Sequence, residues 1–225
     1  PIHTVDAAYK IDDKIGYIKV NRFAGTTMKE FRDAFGKMGK IESFILDLRG
    51  NGGGRLDQAV ELSEFFLPSG SIIVSTEGRS VPSRTYKSRS KGTFLDGPLV
   101  VLIDATSASG SEIVAGAIQD WDRGVIIGQP SFGKGLVQQQ ITLIDGSAVR
   151  ITVARSHTPT VRVILRAYED GKSEAYYLDH LRRWLDVNYA DSVIANAPLF
   201  HTLKSLLKVF GDAGLSPSIL LPMYT

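Results

Sequence analysis

The stretch SFILDL, residues 43 to 48, followed at once by RGNGGG at 49 to 54, constrains the fold of this chain more than any other segment. A short apolar run that ends in a turn reads as a strand buried on both faces, the kind that occurs where helices cover a parallel sheet. After the glycines, RLDQAVELSEFFL (55 to 67) resumes helical periodicity until Pro68 ends it. Upstream, KIGYIKV (14 to 20) mixes β-branched and aromatic residues as strands do. Met28, Phe31, Phe35 and Met38 then recur at helical spacing behind Thr26 or Thr27, either of which can cap a helix.

Downstream, SIIVST (71 to 76), PLVVLIDA (98 to 105) and GVIIG (124 to 128) read as strands, with SEIVAGAIQDW (111 to 121) as a helix between the last two. This alternation predicts an α/β core with a largely parallel sheet. GLVQQQITLI and SAVRITVAR, joined by Asp145 and Gly146, predict a β-hairpin. EGRSVPSRTYKSRSKGTF (77 to 94) is rich in charge and poor in apolar residues, and reads as a solvated loop or a flap over a polypeptide. Two amphipathic helices are expected at the end, over 174 to 190 and over 200 to 211. In the second, Phe200, Leu203, Leu206, Leu207 and Phe210 share one face.

Twenty-six basic and 24 acidic residues leave a net charge of +2, which gives no electrostatic case for nucleic acid or an anionic membrane as the main partner. With no cysteine there is neither a disulfide framework nor a thiolate metal site. No apolar run approaches the ~20 residues of a spanning helix. A chain that starts at Pro1 reads as a piece of something longer.

TSASGSE, residues 106 to 112, sets three serines among small residues just before an apolar helix. A serine nucleophile needs a base to take its proton and N–H donors aimed at the oxyanion that forms. Candidate bases are His3, His157, His180 and His201, and Lys134 in SFGKG. Lysine titrates near pH 10.4, so it serves as a base only where burial lowers that value by roughly three. Each segment also has a plainer reading: a lysine in a glycine-rich turn is usually a solvated charge, and serines before a helix are usually caps.

Together, FILDLRGNGGG, SASGSEIVAGAIQD, GVIIGQPSFGKGLVQ and DGSAVRITVARSHTP, in this order, closely resemble the core of the C-terminal processing peptidases, or tail-specific proteases. The resemblance implies a crotonase/ClpP-like α/β core and a Ser/Lys dyad, with no metal or organic cofactor. It places the nucleophile at Ser109, the general base at Lys134, and the residue that orients that base at Gln138. Gly53 and Gly110 are the implied oxyanion donors, Ser107 and Ser111 support the nucleophile, and Arg49 and Asn51 brace the glycine turn.

Two departures from the family pattern stand out: Gly110 replaces the commoner alanine after the nucleophile, and Val161 stands where a glycine is expected. The implied layout is a catalytic core over residues 1 to 160, whose first 15 residues are a linker or strand, and a helical segment over 161 to 225. The PDZ domain that family members carry ahead of the core is not expected here. The resemblance implies a serine endopeptidase that cleaves polypeptides near their C-termini, in the periplasm or envelope of a bacterium, with a homo-oligomer and a PDZ domain of the full-length protein as further partners. A non-catalytic peptide- or ligand-binding relative on the same scaffold is the alternative, and acyl-CoA chemistry is a third reading.

Overall fold

A computed structural model describes residues 3–166, 174, 178, 179, 181, 182, 186, 195–211 and 214–221. Strands β1 (Val5–Lys10), β2 (Ile15–Val20) and β3 (Ser43–Asp47) are interleaved with helices α1 (Thr27–Lys37) and α2 (Leu56–Glu64). There follow β4 (Ile72–Glu77), β5 (Arg84–Lys87), β6 (Leu99–Ile103), α3 (Gly110–Asp120), β7 (Val125–Gly128), β8 (Leu136–Thr142) and β9 (Ala148–His157). Three short strands complete the described chain: β10 (Leu199–His201), β11 (Lys208–Phe210) and β12 (Ile219–Leu220).

The main sheet runs β1-β2-β3-β6-β7-β12. All its pairs are parallel except β1 with β2. A second, antiparallel sheet has the order β5-β4-β9-β8, and its β8–β9 pair is the expected hairpin.

In β2, β3 and β6 burial alternates: Ile18, Val20, Phe44, Leu46, Leu99, Val101 and Ile103 are buried. They pack with Met28 and Phe31 of α1, Ala59 and Leu62 of α2, and Val114 and Ile118 of α3. The alternate positions are mostly half-buried. Strand β3 is therefore covered fully on one face, not on both as its composition suggests. On the half-covered face Tyr17 donates a hydrogen bond to the otherwise buried Asp47 at 2.7 Å. Phe31, Phe44, Phe65 and Phe66 form an edge-to-face cluster beneath the helices.

Three local expectations are corrected. Thr26 precedes α1, but its hydroxyl donates to Glu30 Oε1 instead of accepting a backbone amide. The charge-rich stretch contains β5, which pairs with β4 and so spends its backbone polarity in a ladder. The second C-terminal helix is absent: β10 and β11 form an antiparallel hairpin with Phe200 opposite Val209. Its turn is held by groups distant in sequence, because Asp122 Oδ2 accepts the N–H groups of Lys204 and Ser205, and Asp120 O accepts that of Leu203. Those bonds compensate the backbone for the helix that the apolar spacing imitates. The expected helix over 174 to 190 lies largely outside the described residues.

Residues beyond 160 return to the core. Leu215 is buried in the main cluster, and β12 adds to β7 as the outer strand. Arg162 is buried against Asp120, which also accepts the N–H and hydroxyl of Thr160. Between those anchors Val161 is held at a φ of 65°, a conformation that a β-branched residue rarely takes. Val161→Gly should relieve about 1–2 kcal/mol of left-handed strain, less about 0.5–1 kcal/mol of added chain freedom. The net expectation is a rise in Tm of about 2–4 °C, read by calorimetry.

The edge strand β1 is tied to α1 by Glu30, which accepts the N–H groups of Thr4 and Val5 and the hydroxyls of Thr4 and Thr26. Burial pushes this carboxyl up, but the four donors outweigh it and bring its pKa to about 2. Because the folded value lies below the ordinary 4.5, the stabilisation is present above about pH 4.5 and is lost as pH falls toward 2. Glu30→Gln should lower the urea midpoint at pH 7, and the difference from the parent protein should shrink steadily as pH falls from about 4.5 toward 2.

Candidate active site

The parallel strands β3, β6 and β7 end at the same edge of the sheet, so the loops that follow them meet there. RGNGGG follows β3, DATSAS joins β6 to α3, and QPSFGKG follows β7. Ser109, Lys134, Gln138, Gly53 and Gly54 line one open cleft of about 890 Å³. Three segments far apart in sequence are thereby brought to one place.

Ser109 sits at the N-terminus of α3 with a φ of 53° and a ψ of −107°. Such a backbone costs of order 1–3 kcal/mol in a residue with a side chain and persists only where its surroundings fix it. Asn51 supplies much of that fixing. It is fully buried; Nδ2 donates to Val20 O at 2.9 Å, and its carbonyl accepts Ala108 N–H at 3.0 Å and Ser111 Oγ at 2.9 Å. Ser107 is likewise buried and donates to Leu48 O at 2.9 Å. Asn51, Ser107 and Ser111 thus hold the serine loop against the glycine turn.

Gly53 is pressed so closely to that loop that an added Cβ would lie 2.7 Å from Ser109 Cβ and 2.7 Å from Ala108 O, at a φ of 94°. Its own N–H donates to Asn51 Oδ1 at 2.8 Å and is engaged. Among the described residues the N–H groups of Gly54 and Gly110 have no acceptor. Arg49 forms a two-pronged ion pair with Asp47, and no side-chain hydrogen bond joins it to the glycine turn among the described residues. Burial would push Asp47 up, but Arg49 and Tyr17 hold it below the usual carboxylate range.

The base loop is fixed amide by amide. Ser131 N–H donates to Leu215 O and Phe132 N–H to Ser107 O, each at 3.0 Å. Gly133 and Lys134 N–H donate to the Glu112 carboxylate at 2.6 and 2.9 Å. Glu112 also accepts Ser109 N–H at 2.7 Å and the Ser131 hydroxyl. One fully buried carboxylate therefore joins the serine loop to the lysine loop; burial outweighs the four donors and holds it above the usual carboxylate range. Glu112 is not among the site residues expected from the sequence, although an acidic residue inside an apolar helix start is itself a signal of a buried partner.

Lys134 is half-buried, and no hydrogen bond joins its side chain to Ser109 or to Gln138 among the described residues. Gln138 lies on β8, exposed, beside an irregularity that shifts the β8–β9 ladder between Val137 and Gln138. Of the histidines, His157 ends β9 and is buried with Nδ1 unpartnered, and it does not line the cleft.

A family model described as peptidase family S41 matches residues 14–168. The carboxy-terminal-processing protease of Bartonella bacilliformis is 41% identical over 159 residues, covering 68% of this chain and 36% of that protein. The carboxy-terminal processing protease CtpA of Bacillus subtilis is 38% identical over 157 residues, covering 69% and 33%. Among solved structures, a photosystem II D1 C-terminal processing protease superposes with a TM-score of 0.66 at 25% identity, covering 99% of this chain and 49% of that one. The chain spans about a third of the length of the curated relatives it matches.

Replacing Glu112 by Gln would turn an amide N–H₂ toward donors that cannot accept. At one or more unsatisfied buried groups, Glu112→Gln should lose about 2–3 kcal/mol in urea unfolding, well beyond the effect of an exposed Glu→Gln change.

Proposed function

This chain belongs to peptidase family S41, and we propose that it is the catalytic core of a serine endopeptidase that cleaves polypeptides near their C-termini through an acyl-enzyme. The observation that carries the reading is the convergence of Ser109, Lys134 and the glycine turn on one cleft, with Ser109 held in a strained backbone at the start of α3.

Ser109 Oγ attacks the scissile carbonyl carbon while Lys134 Nζ takes its proton. The resulting oxyanion is met by Gly110 N–H and by a donor of the glycine turn, where Gly54 N–H is open and Gly53 N–H is open only once Asn51 releases it. Collapse expels the amine, which takes the proton back from Lys134, and water repeats the sequence on the ester. Gln138 reaches the same cleft from β8 and orients the lysine. Residues 161–225 are taken as a C-terminal segment on the 1–160 core, of whose described part Leu215 and β12 pack against it.

The polypeptide substrate lies extended along the cleft, where backbone pairing tolerates varied side chains. A PDZ domain elsewhere in the full-length protein, a homo-oligomer, and a periplasmic or envelope location in a bacterium complete the proposal, as the family resemblance of the sequence implies. One observation favours a binding module instead: Ser109 and Lys134 are not hydrogen-bonded to each other. Apo sites commonly tighten only around substrate, which keeps the peptidase reading first.

The purified chain should fragment casein, with the rate rising toward alkaline pH because the general base must be unprotonated. Ser109→Ala and Lys134→Ala should each reduce fragments by at least about a thousandfold, followed by mass spectrometry. Equal cleavage by parent and variants would remove the dyad; no cleavage by any of the three would favour the binding module.

A further inference from the structure

Among the described residues, the cleft around Ser109 is lined by basic side chains and by no acidic one. Arg22, Arg55, Lys134 and Arg150 border it, and no Asp or Glu stands beside them among the described lining residues. Chance does not easily produce this in a chain with 26 basic and 24 acidic residues. The four cations are not equivalent. Arg55 is neutralised by Asp57 at 3.0 Å, and the proposed mechanism needs Lys134 without its proton. Arg22 and Arg150 remain, both exposed and neither in an ion pair among the described residues.

Each comes from a different wall. Arg22 follows β2, one residue before Phe23, whose backbone is bonded to Gly53 and Arg55 at the glycine turn. Arg150 stands on β9 directly opposite Gln140. Because side chains alternate along a strand, Gln138, Gln140 and Arg150 share the hairpin face that borders the cleft. Ile141, Val149 and Ile151 occupy the opposite face and are exposed. The register of β8 against β9 therefore directs a free guanidinium toward the substrate path.

A guanidinium presents a planar fork of donors that matches a carboxylate, and a cleft of one sign concentrates ligands of the other. We infer that the cleft selects polypeptides carrying a carboxylate close to the scissile bond, with Arg22 and Arg150 as the selecting groups. The carboxylate is either an acidic side chain or the C-terminal carboxylate of the substrate. This inference rests on the peptidase reading, since it assumes that a polypeptide occupies the cleft.

The test uses binding, so that it does not depend on turnover. Four fluorescein-labelled peptides of one sequence are compared on the Ser109→Ala protein by anisotropy: with two Glu or two Gln, and with a free or an amidated C-terminus. A carboxylate should tighten binding about threefold to fivefold per exposed arginine engaged, and the effect should shrink between about 50 and 500 mM salt. The Glu/Gln arm reads an acidic side chain, and the free/amide arm reads the terminus. Arg22→Glu and Arg150→Glu should each weaken or reverse the preference, and Arg150→Gln should abolish its share without adding repulsion. Equal binding of all four peptides, no measurable binding, or a preference that survives in the Arg22→Glu/Arg150→Glu double variant would overturn the inference. A preference retained by Ser109→Ala when the parent protein cleaves none of the four peptides would sink the peptidase reading and leave carboxylate selection standing.

Discussion

A single buried carboxylate, that of Glu112, holds the candidate site together. Taking a carboxylate out of water costs several kcal/mol unless its oxygens are fully solvated by protein donors. Four donors meet Glu112: the N–H groups of Ser109, Gly133 and Lys134, and the hydroxyl of Ser131. They come from both sides of the cleft, so the charge is tolerable only while the serine loop and the lysine loop stay together. The same network extends to the end of the chain, because Ser131 Oγ also accepts Leu215 N–H at 2.8 Å. The C-terminal segment is for this reason part of the scaffold beneath the site.

A second latch works from the opposite side. Asn51 holds the glycine turn to β2 through Val20 O and to the serine loop through Ala108 and Ser111. Between the two latches Ser109 is over-determined, which is how a residue with a side chain is kept at a φ of 53°. The cost of that backbone is met by bonds that no other conformation of the loops could make together. Gly53 and Gly133 serve the same end: one lets the turn touch Ser109, and the other, at a φ of 84°, lets Arg166 approach the lysine loop. Val161 shows the converse, a position whose conformation suits glycine and whose anchors at Thr160 and Arg162 force valine into it.

The parallel core was legible because β2, β3, β6 and β7 are short apolar runs separated by helical spacing, a pattern with few other solutions. The convergence of 49–54, 106–110 and 131–135 was expected only from the family resemblance, and its physical basis is that loops after parallel neighbours share an edge. What stayed hidden depends on partners far along the chain. The apolar spacing of Phe200, Leu203, Leu206, Leu207 and Phe210 is that of a helix, and only Asp120 and Asp122, some 80 residues earlier, make the hairpin turn preferable. In the same way Arg84 and Lys87 read as loop because the ladder that β5 joins is invisible in composition. The engagement of Gly53 N–H by Asn51 could not be read from a glycine run that offers several equivalent amides.

The gap between Ser109 and Lys134 has a simple physical interpretation within the proposed mechanism. Every backbone amide from Ser131 to Lys134 is bonded, and Gly133 O accepts Arg166 N–H at 3.0 Å, so the lysine loop is not free to travel. The Lys134 side chain, by contrast, makes no hydrogen bond or ion pair among the described residues. Within the proposed mechanism, ordering the Lys134 side chain against Ser109 would cost about 1.5–2 kcal/mol of rotamer freedom. In that mechanism a bound polypeptide that excludes water from the cleft would offset part of this cost. The latches at Glu112 and Asn51 thus fix where the reacting groups stand, and the substrate decides when they meet.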